Sequence, residues 1–278
     1  MCQGRNAQFR REKRKIVMII FFLVSFLASV VGAICGIGGG VVIKPVLDML
    51  GLETVAAISF LSGCTVLSMS CYSVTRALAK GDSGVDVRTG TPLAAGAALG
   101  GLAGKQLFEL VKSLAGSQGT VGAVQAACLG VITLGTLAYT VNKARIPTHR
   151  ITAPAVCIAI GLALGIMSSF LGIGGGPINL VVLYFFFSMD TKTAAANSLY
   201  IILFSQLASL ITTLATRTVP PFHWPVLLVM VCGGVGGGVV GRALNKKMDN
   251  RLVERLFIGL MGLIVLICVY NVWRGIGG

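Results

Sequence analysis

The sequence has few charged residues and very few acidic ones, and this scarcity excludes most classes of soluble protein. Only 12% of the 278 residues are charged and nine are aspartate or glutamate, whereas 55% are hydrophobic. The mean hydropathy is +0.88. Several apolar runs reach the roughly 20 residues that cross a bilayer as a helix. Because these runs are continuous rather than alternating, they are typical of helices and not of a membrane barrel. The predicted fold class is an all-α polytopic membrane protein.

Motifs for catalysis, nucleotide binding and metal binding are also missing. The two histidines, His149 and His223, lie near prolines in loops, and the eight cysteines form neither a CxxC pair nor a Cys/His cluster. The glycine-rich stretches lack the Lys-Ser/Thr ending of a P-loop and the full dinucleotide fingerprint. We therefore expect no enzyme activity, no catalytic residues, no metal ion and no cofactor, and no ATP-driven transport by this chain alone.

Basic residues outnumber acidic ones by 23 to 9, which gives a formal charge of +14. Such an excess can indicate nucleic-acid binding, but basic residues that flank membrane spans and set their orientation explain it better. Six of them precede the first apolar run, within residues 1–15. We interpret this stretch as a retained cytoplasmic N-terminus and not as a signal peptide. The expected partners are the lipid bilayer and a small solute, with no nucleic acid.

A glycine-rich motif, Gly-Ile-Gly-Gly-Gly, occurs at residues 36–40 and again at residues 172–176, each time after a long apolar run. Pro45 follows the first copy and Pro177 the second. Each glycine costs a helix about 1 kcal/mol relative to alanine, so the helix is expected to stop and a short new helix to begin. A helix N-terminus carries unpaired N–H groups and a partial positive charge, and two such ends inside a membrane would form an anion site. The alternative is that the glycines allow close helix packing.

The two halves of the chain repeat each other. Three matched pairs of segments occur in the same order and at a nearly constant spacing: 36–40 with 172–176, 53–59 with 192–198, and 100–105 with 237–242. We therefore expect a first transmembrane repeat at residues 16–141, a polar linker at 142–151 and a second repeat at 152–274. Each repeat should hold about four spans and one short glycine-broken helix.

The short apolar segments after the glycine motifs, near residues 41–51 and 177–189, decide the number of spans. If both re-enter the membrane and return, there are eight spans, and 14 basic residues lie on the N-terminal side against 9 on the other. If both cross, there are ten spans, the repeats are inverted, and the count is 10 against 12. The positive-inside rule favours eight spans with the N-terminus and the linker in the cytoplasm. Ten spans, a common transporter plan, is the alternative.

Polar residues at membrane depth are costly and often functional. Neutral donors and helix ends suit an ionised anion that must be released again. The predicted substrate-binding residues are therefore the last three glycines of each motif and the nearby serines and asparagines: Gly38, Gly39, Gly40, Gly174, Gly175, Gly176, Asn179, Asn197, Ser198 and Ser59.

Together, the doubled Gly-x-Gly-Gly-Gly motif, the prolines that follow it and the Thr-Ala-Ala-Ala-Asn-Ser stretch at residues 193–198 resemble the sulfite exporter TauE/SafE family. The resemblance runs over about residues 16–274. It implies a multi-pass permease of the inner membrane that exports sulfite or an organosulfonate by secondary transport, with a proton or sodium ion as the candidate coupling ion. This chain departs from a symmetric site in that Ile58 stands opposite Asn197. A passive anion channel and a non-transporting membrane assembly subunit are the alternatives, and the sequence does not predict the oligomeric state.

Overall fold

The computed structural model describes residues 2–79, 84–114, 118–173 and 175–277, and every regular element within these ranges is a helix. The predicted all-α class is confirmed for these residues. In chain order the helices are α1 (Cys2–Cys35), α2 (Gly40–Leu50), α3 (Val55–Ala79), α4 (Val87–Leu114), α5 (Gln118–Asn142), a 3₁₀ turn (Lys143–Arg145), α6 (Pro154–Leu171), α7 (Pro177–Phe187), α8 (Thr191–Ala215), α9 (Trp224–Lys247) and α10 (Asn250–Gly277).

Seven of the described helices are long and apolar enough to cross a membrane: α3, α5, α6, α8, α9, α10 and the part of α1 that begins at Lys15. Helix α4 has the length, with 28 residues, but not the apolar composition. Helices α2 and α7 have 11 residues each, which at 1.5 Å per residue is about half the thickness of the hydrocarbon core. The chain is therefore a multi-span membrane protein.

The two glycine motifs end α1 and α6 and lead into α2 and α7, so the predicted helix breaks are confirmed. The backbone φ angle is 73° at Gly36 and Gly38, 65° at Gly172 and 137° at Gly175. Residues with a side chain rarely adopt these values, which explains why glycine stands at each turn. Gly174, also a predicted site residue, lies outside the described residues.

A stripe of glycines joins α4 to α6. A β-carbon at Gly96 would lie 2.1 Å from the carbonyl oxygen of Ile158, and one at Gly104 would lie 2.3 Å from that of Ile166. The two backbones are therefore in direct contact along several turns, as in small-xxx-small packing. Because the partner number rises with the glycine number, α4 and α6 run in the same direction.

A second stripe joins α9 to α1 in the same way. A β-carbon at Gly233 would lie 3.0 Å from the Phe22 carbonyl oxygen, and one at Gly241 would lie 2.3 Å from that of Val30. Helices α1 and α9 are therefore parallel too. We call the end of the bundle at Lys15 face A and the end where α9 finishes face B.

Similar contacts give the direction of each remaining helix. Gly234 and Gly238 of α9 approach Thr65 and Met69 of α3, so α3 runs from face A to face B with α1 and α9. Helices α6 and α8 are parallel to α4, and all three run from face B to face A. Helix α10 follows α9 and also runs from face B to face A. Helix α5 is antiparallel to α10 and runs to face B.

The two short helices return toward the face from which the preceding helix started. Helix α2 ends near face A, where Arg274 at the end of α10 donates to the carbonyl oxygen of Met49. Helix α7 ends near face B, where the N–H of His149 donates to the carbonyl oxygen of Phe185 at 2.7 Å. Each helix of the second half thus runs opposite to its counterpart in the first half.

The linker between the halves lies at face B. Lys143, directly after α5, forms an ion pair with Glu254 in the first turns of α10. Lys15 and the linker therefore lie at opposite ends of the bundle.

Candidate functional site

The two glycine motifs contact each other at the centre of the bundle. A β-carbon at Gly40 would lie 1.8 Å from the carbonyl oxygen of Ile173, and one at Gly175 would lie 3.5 Å from that of Ile37. Gly38, Gly39, Gly175 and Gly176 are buried as well. The predicted glycines, as far as they are described, are therefore gathered in one place by contact between the two halves.

Each motif also packs against a long helix of the other half. A β-carbon at Gly36 would lie 2.2 Å from the Cα of Ala195 in α8, and one at Gly172 would lie 2.7 Å from the hydroxyl of Ser59 in α3. Helices α3 and α8 thus flank the crossing of the motifs from opposite sides. Neither α2 nor α7 has a side-chain cap at its N-terminus, where Gly39 and Gly176 are the capping residues.

A small cavity with several polar lining residues lies on the face A side of this crossing. It has a volume of about 40 Å³ and is enclosed by α3, α4, α6 and α8. The hydroxyl groups of Ser59 and Ser169 line it, are buried, and have no hydrogen-bond partner. Lys105 and Gln206 also line it. The Lys105 ammonium pairs with Glu109 at 3.1 Å, and the Gln206 amide nitrogen donates to the Ser168 hydroxyl at 3.5 Å. Unpartnered hydroxyls, an amide and an ammonium form a set of donors that suits an oxyanion.

A wider cavity lies on the face B side. It has a volume of about 380 Å³ and is enclosed by α1, α3, α8 and α9. Its charged lining residues are all basic: Lys192, Arg242 and Lys246. Among the described residues no carboxylate lines it. Arg242 reaches across it and donates to the carbonyl oxygen of Ser73 in α3.

The two cavities are built from corresponding parts of the two halves. Lys105 and Arg242 end the matched segments 100–105 and 237–242, and each lines one cavity. Helices α3 and α8 border both cavities, α4 corresponds to α9, and α6 corresponds to α1. We call them the A vestibule and the B vestibule. The glycine crossing separates them.

Asn197 does not line either vestibule. Its side-chain oxygen accepts from the N–H of Asp86 at 3.0 Å, and its amide nitrogen donates to the carbonyl oxygens of Gly84 at 2.8 Å and Thr193 at 2.9 Å. All of these partners are backbone groups, and the residue is fully buried. In this conformation Asn197 therefore connects α8 to the segment before α4.

Asn179 and Ser198 are brought together at the start of α7. The Asn179 amide nitrogen lies 3.4 Å from the Ser198 hydroxyl, and both residues are buried. The side-chain oxygen of Asn179 has no partner. Asn179 therefore keeps spare hydrogen-bonding capacity next to the glycine crossing, whereas Asn197 does not.

Most of the lining residues, among them Lys105, Arg242 and Ser169, were not among the sequence-predicted site residues. Lys105 and Arg242 could have been found, because a basic residue follows the glycine stripe in both halves of the chain. Ser169 could not, because Ala33 stands opposite it when the two glycine motifs are aligned. Its position in the vestibule follows from helix packing alone.

A buried ion pair lies outside both vestibules. Lys44 and Asp48 of α2 are 2.6 Å apart, and only 3% and 14% of their side chains are exposed. The second oxygen of Asp48 is buried without a hydrogen-bond partner. Within the described ranges no group of three or more His, Cys, Asp or Glu side chains is placed to hold a metal ion.

Asp190 begins α8 at the border of the B vestibule. Its carboxylate accepts from the N–H groups of Lys192 at 3.0 Å and Thr193 at 3.1 Å, and from the Thr193 hydroxyl at 2.7 Å. Partial burial opposes ionisation, but these hydrogen bonds outweigh it and lower the pKa of Asp190. The start of α8 is thus fixed by a charged N-cap.

Comparisons with known proteins agree with a membrane transporter. A family model described as "Sulfite exporter TauE/SafE" matches residues 21–267. The chain is 26% identical over 265 residues to "Probable membrane transporter protein YunE" of Bacillus subtilis (strain 168), covering 88% of this chain and 95% of that protein. It is 27% identical over 173 residues to "Probable membrane transporter protein MamO" of Magnetospirillum gryphiswaldense, covering 59% of this chain and 27% of that protein. It is 30% identical over 132 residues to a "Probable membrane transporter protein" of Xylella fastidiosa (strain Temecula1), covering 45% of this chain and 48% of that protein. No solved structure matches the chain significantly.

Proposed function

Because this chain belongs to the sulfite exporter TauE/SafE family, we propose that it is a secondary transporter that moves a small anion between the two vestibules. The observation that carries this proposal is the pair of corresponding cavities on opposite sides of one glycine crossing. Both have basic and neutral donors in their lining. Such a pair is what a carrier needs if the substrate is to be reached from one face at a time.

The helix directions support the ten-segment alternative over the eight spans that the charge count favours. Counterpart helices run in opposite directions, and the linker lies at the face opposite Lys15. In this arrangement the halves are inverted repeats. Helix α2 carries the chain back to the face from which α1 started, and α7 carries it back to the face from which α6 started. The count of basic residues, 10 against 12, is then nearly balanced and does not set the orientation. We retain the N-terminus on the cytoplasmic side because of the six basic residues before the first span.

The two vestibules differ in volume. The B vestibule, at about 380 Å³, has room for a sulfite or organosulfonate ion, whereas the A vestibule, at about 40 Å³, holds about one water-sized group. We therefore propose that in this conformation the B vestibule is the one with room for the anion, whereas the A vestibule is contracted. In a transport cycle the inverted halves would exchange these shapes.

The residues that we expect to hold the anion at face A are Ser59, Ser169, Gln206 and Lys105. Hydrogen bonds from neutral groups to a charged ligand contribute about 1.5–3 kcal/mol each. Asn179 can add a donor or acceptor near the crossing. Sulfite or an organosulfonate is the proposed substrate, export is the proposed direction, and a proton or sodium ion is the proposed coupling ion.

Flux of labelled sulfite into proteoliposomes tests the proposal. A carrier gives saturable uptake that is accelerated by sulfite on the opposite side, and Ser59→Ala should raise its KM about tenfold. Ser68→Ala is the matched control, because the Ser68 hydroxyl on the same helix already donates to the Cys64 carbonyl oxygen. Uptake that rises linearly with concentration and shows no exchange would support a channel. No flux of any sulfur oxyanion would refute transport of this substrate class.

A further inference from the structure

One side of α3 carries four serines whose hydroxyl groups have no partner. Around the axis of an ideal α-helix the four lie within roughly 80° of one another: Ser59, Ser62, Ser70 and Ser73. Each hydroxyl oxygen is buried, and none has a hydrogen-bond partner among the described residues. We call these four residues the serine face of α3.

Other hydroxyl groups of α3 are satisfied within the helix, as serine and threonine side chains often are. The Thr65 hydroxyl donates to the carbonyl oxygen of Leu61 at 2.8 Å, and the Ser68 hydroxyl donates to that of Cys64 at 2.9 Å. Ser68 points to the opposite side of α3 from the serine face. The serine face therefore keeps free donors inside the bundle, where a polar group without a partner is costly.

The two ends of the serine face lie in the two vestibules. Ser59 lines the A vestibule, and Ser73 lines the B vestibule, where Arg242 donates to the Ser73 carbonyl oxygen. Ser62 lies between them at the glycine crossing, since its hydroxyl oxygen is 3.0 Å from the place that a β-carbon of Gly40 would take. At 1.5 Å per residue, the serine face spans about 21 Å along α3. A row of hydroxyl donors thus connects the two vestibules past the crossing.

The row of hydroxyls is interrupted at Val66. Ser62 and Ser70 are about 12 Å apart along the helix axis, and Val66 stands midway between them on the same side of α3. Val66 is fully buried and belongs to a hydrophobic cluster that includes Ile202 of α8. A β-carbon at Gly175 would lie 2.3 Å from the Ile202 side chain, so this cluster packs against the second glycine motif.

We infer that the transported anion moves between the vestibules along the serine face of α3, with Val66 and Ile202 as the apolar barrier in its path. This inference rests on the proposed transport function. The barrier borders the B vestibule, because Ala33 and Leu199 belong to the same hydrophobic cluster and line that cavity. A buried apolar constriction of this kind stops an ion by excluding the water that would accompany it.

The spacing of the hydroxyls explains why the barrier lies at this point. Ser70 and Ser73 are about 4.5 Å apart along the helix axis, and so are Ser59 and Ser62, a distance over which an oxyanion can exchange one donor for the next. Between Ser70 and Ser62 the anion meets no free hydroxyl on this side of α3. A movement of α8 that withdraws Ile202 would let the anion pass this interval.

Single cysteines in a variant without native cysteines test the path. During transport, Ser62→Cys and Ser70→Cys should react with 2-sulfonatoethyl methanethiosulfonate, a thiol reagent that carries a sulfonate, and excess methanesulfonate should slow both reactions. Ser68→Cys is the matched control on the opposite side of α3. It should react about tenfold more slowly, because a charged reagent enters lipid and packed helix contacts poorly, and methanesulfonate should not protect it. Equal reaction rates at the three positions would overturn the inference.

Sulfite flux in proteoliposomes tests the barrier. Val66→Thr places a hydroxyl in the interrupted part of the row and should raise the initial rate about three- to tenfold. Val74→Thr is its control, because Val74 belongs to the same cluster but lies roughly 80° further around α3, and it should leave the rate unchanged.

Ser70→Ala should lower the same rate by a similar factor. It should not lower the melting temperature, because the Ser70 hydroxyl has no partner to lose. Wild-type rates in both Val66→Thr and Ser70→Ala would overturn the inference and leave the transport function standing. Absence of sulfite flux with the wild-type protein would overturn both.

Discussion

Gly40 of the first glycine motif lies against the carbonyl oxygen of Ile173 in the second, so closely that a β-carbon at residue 40 would be 1.8 Å from that oxygen. This contact joins the two halves. No side chain can be accommodated there without moving a backbone. The glycine crossing is therefore a tight backbone contact between the two halves, and under the proposed function it is the barrier between the two cavities.

We expect Gly40→Ala to destabilise the protein strongly. Overpacking a well-packed site typically costs about 1–3 kcal/mol, and here the clash is with backbone, so the loss should reach or exceed the upper end. Gly176→Ala is the control at the corresponding position of the second motif, because a β-carbon there would meet its nearest neighbour at 3.6 Å. Thermal unfolding in detergent should separate the two variants clearly. Equal melting temperatures would show that the crossing is not as tight as described.

The ten-segment arrangement makes a simple labelling prediction. In a variant without native cysteines, Arg150→Cys in the linker and Val219→Cys between α8 and α9 should react with an impermeant reagent from opposite sides of the membrane. In the eight-span arrangement both positions lie on the cytoplasmic side. Labelling of both from the same side of intact vesicles would therefore favour eight spans with re-entrant helices.

Asn197→Ala should act on stability and only indirectly on anion affinity. The substitution leaves the backbone groups of Gly84 and Asp86 without their side-chain partner, and buried groups left unpaired cost about 1–3 kcal/mol each. The measurement is thermal stability together with hydrogen exchange at residues 84–86. Asn179→Ala, which removes one long contact of 3.4 Å, should cost less. If Asn197→Ala instead weakened sulfite binding at unchanged stability, Asn197 would have to turn toward the substrate in another conformation.

The N-cap of α8 should make stability depend on pH in one direction. Because the pKa of Asp190 is lowered in the folded protein, its contribution is present above the ordinary carboxyl pKa of 3.8 and is lost as the pH falls through the folded value. Asp190→Ala should cost about 1 kcal/mol near pH 7 and progressively less in acid. Asp190→Asn should keep most of the cap at neutral pH and remove this part of the pH dependence. Unfolding curves at several pH values, in the same detergent, provide the comparison.

The glycine breaks could be predicted from sequence because they are a local property of the chain. Four glycines in five residues disfavour a helix wherever they occur, and Pro177 at the first position of α7 strengthens the restart. The matched segments of the two halves could be found for the same reason, since comparing segments of sequence needs no knowledge of packing, and the repeat that they predict stays a prediction. Lys105 and Arg242 can also be found by matching the segments of the two halves, although the sequence does not reveal that they line cavities.

Whether α2 and α7 re-enter the membrane or complete a crossing could not be predicted from the local sequence. Both have 11 residues, a length that fits a re-entrant helix and the return limb of a broken crossing equally well. For ten spans the basic residues divide 10 against 12, which is too even to outweigh the count of 14 against 9 that favours eight spans. The connection that Asn197 makes between α8 and the segment before α4 could not be predicted either, because its partners Gly84 and Asp86 lie far earlier in the chain, in the other half.

The glycine stripe between α1 and α9 has a consequence for biosynthesis. Ile34, near the end of α1, accepts a hydrogen bond from the side chain of Asn245, which is 211 residues further along the chain. The ribosome must therefore complete most of the protein before the first helix meets the surface it is shaped to fit. Until then α1 stays in the lipid or with the insertion machinery, and the order of synthesis sets how long it waits there for its partner.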